Sequence, residues 1–140
     1  DLKLVLLDFG ACKELDHSLQ SMYQEFILSV IKQDFELFLK ALIDYGFLNP
    51  NGKFNRDLLE SHFRIISSPF TEEAYDWGSS TIPDDVLKIA PKFLKEISVY
   101  KPPKDILFID RKIGGVFFIL KKIQAVFSPN TIAREFIKFE

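Results

Sequence analysis

Apolar residues recur at spacings of three and four along most of this chain, and that period confines it to packed helices. Leu19, Met22, Tyr23, Phe26, Ile27, Val30 and Ile31 form one such stripe. At 3.6 residues per turn they share a face that has to be covered. Asp16 or Ser18 stands where an N-cap belongs, with a side-chain oxygen for the first free N–H groups. A second stripe, Leu37, Phe38, Ala41, Leu42 and Tyr45, starts after Asp34 and stops at Gly46, which takes the left-handed conformation that ends a helix. The joint between the two is short enough to predict an antiparallel helical hairpin. "NPNGKFN" (49–55) reads as a turn, and Asn55 precedes a third amphipathic segment, Arg56–Ile66.

Residues 67–82, "SSPFTEEAYDWGSSTI", mix turn formers with Phe70, Tyr75 and Trp77. A disordered linker is poorer in aromatics, so an ordered loop is predicted. Thr81 with Asp84 resembles a capping box, and Pro83 suits a first helical turn. Pro91 lies inside the helix that follows, predicting a kink or break near Ala90. "KPPKD" (101–105) ends that segment. Beyond it, Ile106, Ile109, Ile113, Val116, Phe117, Leu120, Ile123 and Phe127 fall on one face, and further apolar residues leave little of the other face polar. A central, buried helix over 105–127 is the expectation. Gly114–Gly115 in its middle costs roughly 1 kcal/mol per Gly relative to Ala, which calls for a close approach by a neighbouring backbone. Ser128, Pro129 and Thr131 open a terminal helix expected to run through Phe139. The chain shows neither an internal repeat nor a low-complexity segment.

Composition removes several function classes. The 140 residues carry 18 basic and 20 acidic side chains, spread evenly enough to leave no basic run for a row of phosphates. No nucleic-acid partner is expected. Cys12 is the only cysteine and cannot form an internal disulfide; His17 and His62 have no second ligand at helical spacing. A reducing, cytoplasmic setting fits. The longest apolar run, Val116–Leu120, is far shorter than the ~20 residues of a bilayer-crossing helix, and the first residues lack the basic region of a signal peptide.

One short stretch departs from the helical period. In "LKLVLLDFGACKEL" (2–15), Leu4 to Leu7 read as a buried strand leading directly into Asp8–Phe9–Gly10. A carboxylate at the end of such a strand is held rigidly enough to bind Mg²⁺ on nucleotide phosphates, because that ion needs only one or two protein oxygens. Gly10 lets the chain turn away, and Phe9 packs beneath the carboxylate. The same three residues also make an ordinary strand-ending turn. A conventional protein kinase would follow them with a long activation segment ending in Ala-Pro-Glu. Here a helix begins within about eight residues, and the nearest match is Ala90–Pro91–Lys92.

Taken together, "LVLLDFGACKEL", the Lys-Gln-Asp-Phe after the first helix, "ALIDYGFLNP" and "PPKDILFIDRKIGGVFFILKKIQAVF" resemble the C-terminal part of the UbiB/AarF (ADCK) family of atypical kinase-like ATPases. The resemblance is firm over 2–50 and 101–127 and loose between. It implies a mainly α fold, the helical C-lobe portion of a protein-kinase-like domain with one short N-terminal strand. On that basis 1–10 form the strand and metal motif, 16–66 helical segments, 67–82 an ordered loop and 83–140 further helices. It also implies binding of ATP and Mg²⁺, with Asp8 as metal ligand and Phe9 and Gly10 completing the cofactor-binding motif, and a role in ubiquinone or isoprenoid-lipid biosynthesis. The family's nucleotide-clamping Lys, its Glu partner, the Lys-x-Gly-Gln segment and the His-x-Asp-x-His-Pro-Gly-Asn catalytic loop have no counterpart here. The resemblance therefore implies an N-terminal lobe and catalytic loop as partners, and no catalysis by these 140 residues alone.

The remaining candidates have plainer readings. Arg111 is expected to satisfy itself near Asp110 or at a loop carbonyl; the sharper alternative has it bonding Glu14 behind the Asp-Phe-Gly. Lys13 and Glu14 are surface residues, Cys12 a small buried filler, and His17 and His62 surface or capping residues. Phe70, Tyr75 and Trp77 are candidates for an aromatic-lined groove. A competing reading of the whole chain is a non-catalytic helical module that binds a partner protein or lies on a membrane surface, peripheral rather than spanning.

Overall fold

The computed structural model describes residue 12, residues 14–97 and residues 106–137. The predicted strand over 1–10 and the "KPPKD" stop lie outside the described residues. Within them the chain is mainly α. Six helices, α1 (His17–Lys32), α2 (Phe35–Asp44), α3 (Arg56–Ser67), α4 (Ile82–Ile97), α5 (Ile106–Lys122) and α6 (Pro129–Phe136), are joined by a 3₁₀ turn at Ser68–Thr71 and one two-residue antiparallel ladder.

Local chemistry sets most of the helix starts. The Asp16 carboxylate accepts from the Leu19 N–H at 2.8 Å, and Asp34 from Leu37 at 3.0 Å. Asn55 accepts from Leu58 at 3.0 Å and Ser128 from Thr131 at 3.3 Å. Each satisfies a first-turn donor that has no partner within its helix. The joint between α1 and α2 is tighter than a glycine signal suggests, because Gln33 takes the left-handed conformation at φ 55°. Its side chain offsets the strain by donating to the carbonyls of Val30 (2.6 Å) and Ser67 (3.2 Å), while the Asp34 N–H bonds Ser29. Gly46, at φ 78°, ends α2 as expected, and the N–H groups of Phe47 and Leu48 both close onto the Leu42 carbonyl.

The stripes of α1, α2 and α3 meet in a single core. Met22 and Leu59 are fully buried, and Leu19, Phe38, Leu42, Phe47, Leu48 and Phe63 are nearly so. Phe26 sits 5.6 Å from Phe38 and 5.8 Å from Phe47, and Phe38 sits 5.1 Å from Phe63, all in tilted or edge-on arrangements. From α5 only Ile106 joins this core as a buried residue, with Ile109 packed against it.

A second, smaller cluster forms around Trp77. Strand β1 (Tyr75–Asp76) pairs with β2 (Val126–Phe127), Tyr75 opposite Phe127, and the Trp77 N–H extends the ladder to the Ala125 carbonyl. Trp77 then lies 5.0 Å from Tyr75, 5.1 Å from Phe117 and 5.9 Å from Phe127. Two-residue strands carry no alternation a sequence could display. Trp77 is buried, so the Tyr75–Trp77 part of the predicted aromatic groove is a filled cluster, while Phe70 packs apart from it against the helical core.

Three further expectations change. Helix α4 is continuous through Pro91. Both Pro91 and Leu87, whose carbonyl loses its intrahelical donor, are exposed, so the missing bond falls on the solvent side of the helix. Thr81 bonds the Asp85 carboxylate, not that of Asp84, which pairs with Lys121. Helix α6 stops at Phe136, where Ile137 leaves helical geometry.

The largest correction concerns α5, which is not a central helix. Val116, Phe118, Ile119 and Ile123 are 50–65% exposed. Only the side that carries Ile106, Ile109 and Phe117 meets the two clusters. Among the described residues, a Cβ built on Gly114 or Gly115 meets nothing within 4 Å. The close backbone approach predicted there is not made by any described neighbour.

Candidate functional site

Asp8, Phe9 and Gly10 lie outside the described residues. The segment that follows them shows how the chain enters the helical body. Cys12 and Glu14 are exposed, so Cys12 is a surface thiol rather than a core filler. Leu15 packs against the core, and its carbonyl accepts from the Gln20 side chain at 2.7 Å. With the Asp16 cap one residue further on, the entry into α1 is pinned from both sides.

One polar link ties α1 to α5. The Tyr23 hydroxyl donates to the Asp110 carboxylate at 2.9 Å across 87 residues of sequence. Burial, reinforced by the charge of Asp110, raises the Tyr23 pKa above its usual value, so the phenol stays a donor. Burial likewise raises the Asp110 carboxyl, and the Tyr23 bond opposes that shift. Neither residue was singled out for this bond in the sequence, because nothing local connects positions 23 and 110. Arg111 points elsewhere: it is exposed, and among the described residues it bonds neither Glu14 nor a loop carbonyl.

His62 departs most from its predicted surface role. Its ring stacks on Phe93 at 3.8 Å between α3 and α4, and Nδ1 is buried without a hydrogen-bond partner. Burial pushes its pKa down to about 4, so the imidazole is neutral near pH 7. The signal for this was present: Leu58, Leu59, His62, Phe63 and Ile66 share the apolar face of α3. His17, the first residue of α1, is exposed as expected.

Among the described residues no three His, Cys, Asp or Glu side chains gather as a metal-holding group, and no helix is long and apolar enough to cross a membrane. A cavity of about 310 Å³ is lined by Leu48, Lys53, Phe54 and Glu96 among others, and one of about 480 Å³ by Phe70, Glu72 and Asn130 among others. In the second, the Ser128 and Thr71 hydroxyls are engaged with backbone groups, Ser128 accepting from the Thr131 N–H and Thr71 donating to the Ser68 carbonyl.

The chain has clear sequence relatives. It is 28% identical over 129 residues to the mitochondrial atypical kinase COQ8 of Schizosaccharomyces pombe, covering 88% of this chain and 21% of that protein. It is 29% identical over 128 residues to the mitochondrial atypical kinase COQ8B of Danio rerio, covering 90% of this chain and 20% of that protein. The mitochondrial atypical kinase coq-8 of Caenorhabditis elegans matches at 24% over 95% of this chain. The chain spans about a fifth of the length of these curated relatives. No protein-family profile matches it.

Proposed function

We propose, from the premise that the curated homologues of this chain are COQ8-type atypical kinases, that it is the part of an atypical kinase or ATPase that supplies a metal-binding aspartate. The observations that carry the reading are a similarity running over nine-tenths of the chain and, in the chain's own sequence, a strand-like run ending in Asp-Phe-Gly. Asp8 holds Mg²⁺ on the ATP phosphates, Gly10 permits the turn, and Phe9 sets the direction of the carboxylate. A single hard carboxylate oxygen suits Mg²⁺, which completes its shell with phosphate and water. When bound, the ion neutralises charge on the transferring phosphoryl group. The packed helices form the platform of the nucleotide cleft in this reading. The pathway that fits is ubiquinone or isoprenoid-lipid biosynthesis.

The test uses a polypeptide in which this chain follows an upstream nucleotide-binding lobe. Asp8→Asn should abolish ATP turnover there while leaving the thermal transition nearly unchanged; retained turnover removes the metal assignment. The 140 residues contain no catalytic-loop motif, so calorimetric titration of the chain itself with Mg·ATP should show no micromolar binding. A second reading, a helical module that docks a partner or a membrane, is favoured by the exposed apolar residues of α5.

A further inference from the structure

The outward side of α5 brings together exposed apolar residues, exposed cations and a glycine. Val116, Phe118, Ile119 and Ile123 lie there 50–65% exposed, which is costly for a face that stays in water. The cations Arg111, Lys112 and Lys122 share that side and are exposed, with no ion-pair partner among the described residues. Asp110, the carboxylate of α5 itself, accepts from Tyr23 on α1; Asp84 of α4 pairs with Lys121, and Lys112 lies 5.5 Å from the centre of the Phe108 ring. At 100° per residue, Gly115 falls in the middle of this strip, between Phe118 and Ile119 on the helix circumference. A Cβ there would meet nothing within 4 Å among the described residues.

We infer that this side of α5 receives an amphipathic helix of a partner polypeptide, one whose apolar stripe is flanked by carboxylates. Gly115 leaves a notch that lets a second helix backbone come close, and the surrounding apolar side chains close around it. The three cations select the sign of the occupant. A second copy would set its own cations against these, and like charges at close range are unfavourable. A lipid surface would be attracted by the same cations but has no use for a notch at the backbone. The inference goes beyond the phosphate-site reading and does not depend on it.

The probe is a synthetic helix of about 20 residues with Leu along one stripe and Glu on both flanks, compared with the same peptide carrying Lys in place of Glu. Fluorescence anisotropy should show the Glu peptide binding the 140-residue chain at least about tenfold more tightly, with the preference shrinking as salt rises from about 0.05 to about 0.3 M. Gly115→Leu should weaken binding at least about tenfold while raising Tm, since it fills the notch and improves helix propensity. Ile119→Glu should weaken it with far-UV circular dichroism unchanged. Equal affinity for the two peptides, or tight binding retained by Gly115→Leu, overturns the inference. So does capture by phosphatidylglycerol vesicles without peptide binding, which would make the face a lipid contact. Dimers dissolved by Ile119→Glu overturn it in favour of a second copy.

Discussion

Helices α1 and α5 are both about four turns long and carry apolar residues at similar density, yet one is built into the core and the other is half open to solvent. Met22 on α1 is fully buried, whereas Ile119 on α5 is 58% exposed. The difference lies in their neighbours. Helix α1 is clasped by α2 and the turn after it through Phe26, Phe38 and Phe47 and shares one core with Leu59 and Phe63 of α3. Helix α5, by contrast, touches the body along one side, at Ile106, Ile109, Asp110 and Phe117. Periodicity reports that a face wants cover; it does not report that the cover is supplied by the same chain.

That contrast can be broken by truncation. Leu59→Ala, at a fully buried core position, should lower the unfolding free energy by about 3–5 kcal/mol in urea titration, followed through Trp77 fluorescence and circular dichroism together. Should the fluorescence transition stay in place while the dichroism transition moves, the Trp77 cluster and the α1–α3 core unfold separately.

The α3–α4 seam sharpens it through pH. His62 titrates near 6.5 when unfolded and at about 4 in the folded chain. The unfolded state therefore binds more protons between those values, and stability, full above about pH 6.5, falls as pH drops toward 4. The loss should reach roughly 2–3 kcal/mol, measured as urea midpoints across pH. His62→Phe keeps the stack on Phe93 and should flatten that segment of the profile; an unchanged slope assigns it to other groups.

Smaller effects belong to α5. Gly115→Ala should stabilise the chain by about 0.5–1 kcal/mol, because the site is helical and open; destabilisation would reveal a close neighbour. Ile119→Ala should change stability by no more than about 0.5 kcal/mol, and a core-sized loss would show that this face is covered after all.

Much of the first half was legible because its signals are local. Asp16, Asp34 and Asn55 cap the helices they precede, and Gly46 ends α2 where its lack of a Cβ permits φ 78°. The harder features depend on partners distant in sequence. Gln33 tolerates the left-handed region through a bond to Ser67, thirty-four residues on. The β1–β2 ladder joins Tyr75 to Phe127, and the Tyr23–Asp110 bond crosses the chain. The candidate metal motif rests on sequence alone, since Asp8 lies outside the described residues.

The sequence by itself determined the helices, most of their caps and the similarity to atypical kinases, because propensity, capping and residue identity act within a few positions of one another. Only the tertiary structure decided that His62 is stacked and neutral, that Trp77 is enclosed, and that α5 keeps one side open. Burial is a property of what packs on a surface, and no stretch of residues carries that information about itself.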